Sequence, residues 1–249
     1  MFYIILTLFF CYLILFLISL RIKDNSIVDI FWGFWFILIS LILFFKSWNY
    51  SIINLIPLIL ISVWGFRLSG SILLKKIKKP LEDPRYSSWR KSWKYFKIRS
   101  FFQVYLLQMI LLLIVSFPIF FIFSWDLKIK FVIIWSVISI FWFLYETIAD
   151  YQLSNYIKNT KEKNMIFTNW LFKYSRHPNY FWEIMFWLGI LIISFSNSYY
   201  WIIWFITISS LLLFVSWVPM KEERYKRKNN YVEYKNKTSL IIPFIKIKS

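Results

Sequence analysis

The sequence predicts an all-α integral membrane protein, with about seven transmembrane helices in a single membrane domain over residues 1–249. Three observations predict it. Hydrophobic residues make up 59% of the 249 positions, and mean hydropathy is +0.58. Apolar runs near or above the ~20 residues that cross a hydrocarbon core recur along the chain. Lysine and arginine, 30 in all, fall overwhelmingly in alternate loops between those runs. Backbone polar groups cannot face lipid unpaired, so each run must be a helix.

Residues 1–20 are continuously apolar and rich in phenylalanine. They lack a charged leading region and a small-residue cleavage motif, so they read as a retained span rather than a signal peptide. The second span covers 27–45 and the third 50–74. The fourth covers 101–125, where Pro118 is tolerable if neighbours satisfy the carbonyl it frees. The fifth covers 131–149. The sixth, 181–196, is short, and the polar link Ser194–Ser198 makes it a hairpin with the seventh, 199–218. Residues 1–125 hold helices one to four and 126–249 hold helices five to seven with a basic tail. Cys11 is the only cysteine and lies inside the first span, which argues against a disulfide, a multi-cysteine metal site or thiol chemistry.

Charge sets the sidedness. Ten basic residues lie between Lys75 and Arg99, five between Lys158 and Arg176, nine between Lys221 and Lys248, and Arg21 and Lys23 follow the first span. The opposite loops hold only Lys46, Lys128 and Lys130. Basic loops stay in the cytoplasm, which places the N-terminus outside and the C-terminus inside. The same loops carry most of the +18 net charge; they read as topology determinants drawn to anionic lipid, and nucleic acid is not an expected partner. Trp89, Trp93, Tyr95 and Phe96 suggest that the 75–99 loop lies on the membrane surface. The chain is expected in a bacterial inner membrane or an ER-type membrane.

Ionisable groups inside spans are costly and default to functional candidates. Here they are Asp29 in span two, Arg67 in span three, Glu146 and Asp150 at the end of span five, and Glu183 at the start of span six. With the sidedness above, all fall in the cytoplasmic half, implying one polar pocket open to the cytoplasm. The structural alternatives are helix-end charges reaching water and a buried Asp29–Arg67 ion pair. Glu146 and Asp150 share a helix face by their spacing, as do Asn179 and Glu183, and Arg176 and Tyr180 if the helix has begun by then. In "YSRHPNYFWE" (174–183), Pro178 suits a first helical turn. Free N–H groups there, beside Arg176 and His177, make an anion site suited to a phosphate, pyrophosphate or carboxylate. His177 is the only histidine; it is either a capping residue or part of that site, and a metal role lacks further ligands.

"SRHPNYFWEIMFWLGI" (175–190) resembles the signature of the steroid 5-alpha-reductase-like membrane proteins, and within them the bacterial branch known as DUF1295. "DNSIVDIFWG" (24–33), "WGFRLS" (64–69), "EDPRY" (82–86), "RSFFQVYLLQ" (99–108), "ETIADYQLSNY" (146–156) and "YVEYKNKTSLIIPF" (231–244) follow in the matching order. The "RHPNY" core is also similar to isoprenylcysteine-type methyltransferases. The resemblance to the reductases implies seven helices around NADPH and an apolar substrate. It implies a cofactor-binding C-terminal half (126–249) and a substrate-side pocket in 1–125. It places Arg67, Glu146, Asp150, Arg176, His177, Asn179, Tyr180, Glu183, Tyr231 and Tyr234 at the cofactor. The implied reaction is hydride transfer to a double bond conjugated to a carbonyl, in a steroid, isoprenoid or fatty-acyl lipid. Where animal reductases use tyrosine and glutamate, this chain offers Trp64 and Asp29, and Trp182 replaces a glycine. Two other readings stand beside this one. One is a methyltransferase using S-adenosylmethionine, to whose tail "EERY" (222–225) is similar. The other is a non-catalytic lipid-binding protein.

The sidedness has its own test. A reporter active only outside the cytoplasm, fused at Ser249, is expected to be silent; activity there overturns the orientation.

Overall fold

The computed structural model describes residues 2–124, 126–160, 164–195, 200–210, 213 and 217–243, leaving out the side chains of Trp142, Trp217 and Met220. The described residues are helical apart from loops and one isolated parallel bridge between Ser175 and Ser239. The chain divides into two compact units, Met1–Leu127 and Lys128–Ser249. Four helices are long and apolar enough to cross a membrane, judged by length and composition: Phe2–Ile22, Ile52–Lys78, Phe96–Ile122 and Ile129–Asn159. Trp32–Ser47 and Trp201–Ser210 are shorter apolar helices. Parts of the seventh expected span (211–212 and 214–216), most of the Ser194–Ser198 link, and residues 244–249 of the tail lie outside the described residues.

The first unit begins with α1 (Phe2–Ile22). Its sequence is apolar all round, so periodicity alone cannot say which face turns inward. The structure selects Ile4, Leu8, Tyr12, Leu15 and Ser19, spaced three and four apart, as the buried stripe. Phe10, Ile14 and Leu17 stay exposed on the outer face, as lipid contact would have them. The short helix α2 (Ile27–Ile30) leads into α3 (Trp32–Ser47), which pairs with α4 (Ile52–Lys78). This pairing is close because two glycines face each other. A Cβ built on Gly33 would lie 2.4 Å from the Gly65 carbonyl oxygen, and one on Gly65 would lie 2.6 Å from the Gly33 oxygen. Without a hydrophobic drive between helices in lipid, such small-residue contacts are what bring backbones together.

After α4 the chain folds back through α5 (Pro84–Ser92). Asp83 caps that helix by accepting the Arg85 N–H at 2.9 Å, and Pro84 occupies the first turn. The long helix Phe96–Ile122 is not uniform: α6 (Phe96–Ser100) passes through a π-helical stretch, Phe101–Leu106, into α7 (Leu107–Ile122). Ser100 and Gln108 are eight residues apart, about two and a quarter α-helical turns. The wider π turns bring them closer to a common face, and both are hydrogen-bonded to the 25–29 segment (Gln108–Asp29 Oδ1 at 3.3 Å).

In the second unit, α8 (Ile129–Asn159) runs 31 residues, about 46 Å. The expected fifth span ended at 149; the helix instead continues ten residues past the apolar run, so Glu146 and Asp150 lie well inside it. A polar segment such as DYQLSNYIKN keeps good helix formers and has no glycine or proline to stop it. α8 packs along α9 (Pro178–Ser194). Gly189 makes room there for the fully buried Trp135, whose Cδ1 would lie 1.8 Å from an added Cβ. Beyond α10 (Trp201–Ser210), the segments α11 (Trp217–Tyr225) and α12 (Tyr231–Lys237) return to the start of α9.

The glycine pair gives a test of opposite signs. Gly33→Ala is expected to lower stability in detergent by about 1–3 kcal/mol, because the added methyl meets backbone that cannot move aside alone. Gly70→Ala, on α4 with nothing within 4 Å of the new atom, is expected to be neutral or to gain up to about 1 kcal/mol from helix propensity. Thermal unfolding of the two variants beside wild type reads both.

Candidate functional site

Each unit gathers its chemistry around one carboxylate. In the first unit it is Asp29. Arg85 Nη2 donates to Asp29 Oδ2 at 2.9 Å, the Tyr86 hydroxyl donates to Oδ1 at 2.8 Å, and Gln108 Nε2 lies 3.3 Å from Oδ1 and 3.1 Å from the Tyr86 oxygen. The ion-pair partner is therefore Arg85 and not Arg67, which corrects the pairing expected from helix positions alone. Asp83 supports the arrangement twice, capping α5 and accepting Arg85 Nε at 2.9 Å. A second set lies beside it. Arg90 meets Glu82 through two hydrogen bonds of 2.7 and 3.0 Å, and Glu82 Oε1 accepts the Asn25 N–H at 2.9 Å. Asn25 also donates to Ser100 Oγ at 2.6 Å, and Asp24 pairs with Lys76 and Ser26. Trp64 is buried edge-on against Phe36, with centroids 5.2 Å apart. Arg67 is half-buried one helical turn further along α4.

In the second unit the centre is Glu222, from the start of the "EERY" segment. His177 Nε2 lies 2.7 Å from Glu222 Oε1, Arg176 Nη1 lies 3.1 Å from Oε2, and the Tyr231 hydroxyl donates to Oε2 at 3.0 Å. His177 is fully buried and Arg176 nearly so. The imidazole is stacked between two phenols, Tyr180 at 5.6 Å and 23° and Tyr225 at 5.6 Å and 7°, with Lys221 Nζ 4.9 Å over the Tyr180 ring. The backbone holding the pair is pinned by the tail. Arg176 N–H donates to Ser239 O at 2.9 Å, Ser175 Oγ to Ile241 O at 2.7 Å, and the Tyr234 hydroxyl to Phe172 O at 2.6 Å.

The remaining expected residues fall around this centre. Asn179 Nδ2 donates to Asp150 Oδ1 at 2.5 Å, joining α9 to α8. Glu146 is buried one turn before Asp150 on α8. Glu183 accepts from Trp187 Nε1 at 3.2 Å. Trp182, standing where the resemblance has glycine, is buried against Tyr145. Thus Arg176, His177 and Tyr231 share Glu222, Tyr180 stacks on His177, and Asp150 and Asn179 form a separate bond. Glu222, Tyr86, Arg85 and Gln108 were not anticipated as site residues. Their signals were present only as short segments, "EERY", "EDPRY" and "RSFFQVYLLQ", because spacing along a helix says nothing of partners 45 or 79 residues away.

Three enclosed nitrogens of this centre make no hydrogen bond within the protein: Arg176 Nε, Arg176 Nη1, which meets Glu222 only as an ion pair, and His177 Nδ1. Because His177 gives its Nε2–H to the Glu222 carboxylate, Nδ1 is left as an acceptor. The centre can therefore donate to an anionic oxygen and accept from a hydroxyl or N–H. On the same unit, Tyr151, Gln152, Asn155, Tyr156, Phe167 and Trp170 line part of an open groove of about 650 Å³. Exposed Trp170 sits at a φ of 57°, in the left-handed region unusual for a bulky residue.

Burial pushes the His177 pKa below its ordinary value, although the Glu222 hydrogen bond opposes this. Burial would raise Glu222, but the His177 hydrogen bond and the nearby Arg176 charge hold it below the usual carboxylate range. Both groups therefore bind protons more readily in the unfolded chain, so stability rises with pH across their titrations. The second unit is expected to lose stability as pH falls below about 6.5, the ordinary histidine value, and to lose more once Glu222 protonates. His177→Gln keeps a donor toward Glu222 and cannot titrate. Its unfolding temperature is expected to change less than that of wild type between neutral and mildly acidic pH; equal slopes exclude His177 as the source.

Searches of curated proteins and of solved structures match nothing. The family described as protein of unknown function DUF1295 matches residues 15–238, a stretch containing both carboxylate centres and every segment on which the resemblance rested, apart from the end of 231–244. The chain belongs to the DUF1295 family, a branch of the steroid 5-alpha-reductase-like membrane proteins.

Proposed function

We propose that the chain is a multi-pass membrane reductase that uses NADPH to saturate a double bond conjugated to a carbonyl in a lipid-like substrate. The proposal includes the seven spans, with the basic loops in the cytoplasm. One observation carries the cofactor reading: Arg176 Nε and His177 Nδ1 are an enclosed donor and acceptor with no partner in the protein, beside a helix start. A nucleotide presents the complement of both, phosphate oxygens and ribose hydroxyls. The groove along α8, with its tyrosines, tryptophan and amides, suits the stacking of a planar ring.

When bound, the reduced nicotinamide supplies the hydride. The chain's own residues bind, orient and handle protons. Arg176 holds an anionic oxygen, and Glu222 keeps the guanidinium and imidazole in place. Burial keeps His177 neutral, so Nδ1 accepts rather than repels a donor. In the first unit the Tyr86 hydroxyl is held as a donor to Asp29, and burial beside that carboxylate raises its pKa, so it stays protonated and positions rather than releases its proton.

One observation favours a second reading, an S-adenosylmethionine-dependent methyltransferase. The "EERY" segment, which is similar to methyltransferase tails, supplies Glu222 to the Arg176–His177 pair. An amino-acid carboxylate and ammonium would also meet an enclosed donor and acceptor.

Thermal shift of the detergent-purified protein separates these. NADPH at a hundredfold excess over its dissociation constant is expected to stabilise by about 2.7 kcal/mol. NADH is expected to bind more weakly, because cationic residues favour the 2′-phosphate. Arg176→Lys preserves the charge facing Glu222 but removes the fork, and is expected to weaken NADPH about tenfold. Stabilisation by S-adenosylmethionine alone establishes the methyltransferase; stabilisation by neither leaves a non-catalytic lipid-binding protein.

A further inference from the structure

We propose that the basic end of the first unit is a docking surface for anionic phospholipid headgroups, and that their binding holds α5 against the Asp29 network. The observation is a sorting of charge. The segment from Lys75 to Arg99 carries ten basic residues. Three of them turn inward onto carboxylates: Lys76 onto Asp24, Arg85 onto Asp29 and Asp83, and Arg90 onto Glu82. The other seven are exposed, and among the described residues none has an acid within ion-pair distance. The fold thus neutralises three of these cations and leaves the rest exposed within one short stretch of chain.

What lies between those cations decides the partner. Ile77 and Leu81 flank Lys78 and Lys79, and Ile98 follows Lys97; all three apolar side chains are more than 60% exposed. A nucleic acid or an acidic peptide would satisfy the lysines and leave these side chains in water. Headgroups above hydrocarbon satisfy both, with lysine stems lying along the apolar layer and their ammonium groups reaching outward. The aromatic content agrees with that depth. Trp89 and Trp93 stack at 5.0 Å and 7°, Arg90 lies 4.3 Å over the Phe96 ring, and Tyr95 is 68% exposed. Tryptophan and tyrosine collect at this level of a bilayer. The same short segment sends Glu82, Arg85 and Tyr86 inward to Asn25 and Asp29. Headgroups that fix its outer face therefore steady the network on its inner face.

The test uses the full chain in nanodiscs of phosphatidylcholine alone and of phosphatidylcholine mixed with phosphatidylglycerol. Wild type is expected to unfold at a higher temperature with phosphatidylglycerol, and the increment is expected to vanish near 1 M salt, where the screening length is about 3 Å. Replacing Lys78, Lys79, Lys91, Lys94 and Lys97 with glutamine is expected to remove more than half of the increment without changing unfolding in phosphatidylcholine. The same five positions as arginine are expected to retain it. Lys46→Gln, in the last turn of α3, is expected to have no effect. An increment that persists in the glutamine variant or in high salt overturns the proposal. If the glutamine variant unfolds early in phosphatidylcholine, wild-type salt dependence and the arginine variant still decide: a salt-resistant increment, or its loss with arginine, counts against headgroup binding.

Discussion

A carboxylate half-buried in an apolar helical unit must be met by donors, and much of the irregular structure of this protein follows from meeting two of them. Asp29 draws in Arg85, Tyr86 and Gln108; Glu222 draws in Arg176, His177 and Tyr231. Removing one partner of a fully buried ion pair typically costs about 3–5 kcal/mol, because the other charge is left stranded, and these half-buried pairs cost less where water still reaches the charge. That penalty explains why segments with little apolar content are fixed at all. α5 is short and polar, and packing alone would not hold it. Its cap by Asp83, the Glu82–Arg90 pair and the Asp29 bonds together do. Likewise the tail from 217 to 241 is anchored by Glu222, Tyr231 and Tyr234 and by backbone bonds to the 172–177 loop.

Helix existence was legible in the sequence because hydrocarbon thickness sets a length that hydropathy reports. The run over 1–20 became α1 and the run over 50–74 became α4, each with ends within a few residues. Hydropathy was silent on two things. It could not show that α8 continues to Asn159, since a polar helix and a polar loop look alike on that scale. It also could not choose the inward face of helices apolar all round; in α3 and α4 that choice is made by two glycines. The site was legible in its local part, the helix beginning at Pro178 beside Arg176 and His177. It was illegible where partners are remote: the sequence left an Asp29–Arg67 pair open as one alternative, whereas the loop carrying Arg85 folds back and supplies the partner.

The presence of Glu222 changes what the Arg176–His177 pair can be. An arginine beside a free helix start would bind almost any anion. With a carboxylate already 3.1 Å from one guanidinium nitrogen, its charge is balanced, and a second anion gains chiefly through Nε and through the nearby Lys221. Selection then rests on directed hydrogen bonds more than on net charge. A fully deprotonated anion such as sulfate offers acceptors only, so it leaves His177 Nδ1 unmatched in a buried place, which costs about 1–3 kcal/mol. A ligand carrying both an anionic oxygen and a hydroxyl or N–H avoids that cost. The arrangement therefore favours ligands that carry both groups over acceptor-only anions such as sulfate.

The same economy extends to the whole charge of the chain. The cations at the two carboxylate centres are matched close to one for one, so the +18 net charge cannot reside in the interior. It lies on exposed loops and on the tail, where attraction to an acidic surface is cheap and salt-sensitive. Interior pairing is short-range and insensitive to salt, and exterior attraction is the reverse. A chain built this way can sit on membranes of differing charge without disturbing its buried centres, except through α5, the segment that faces both ways.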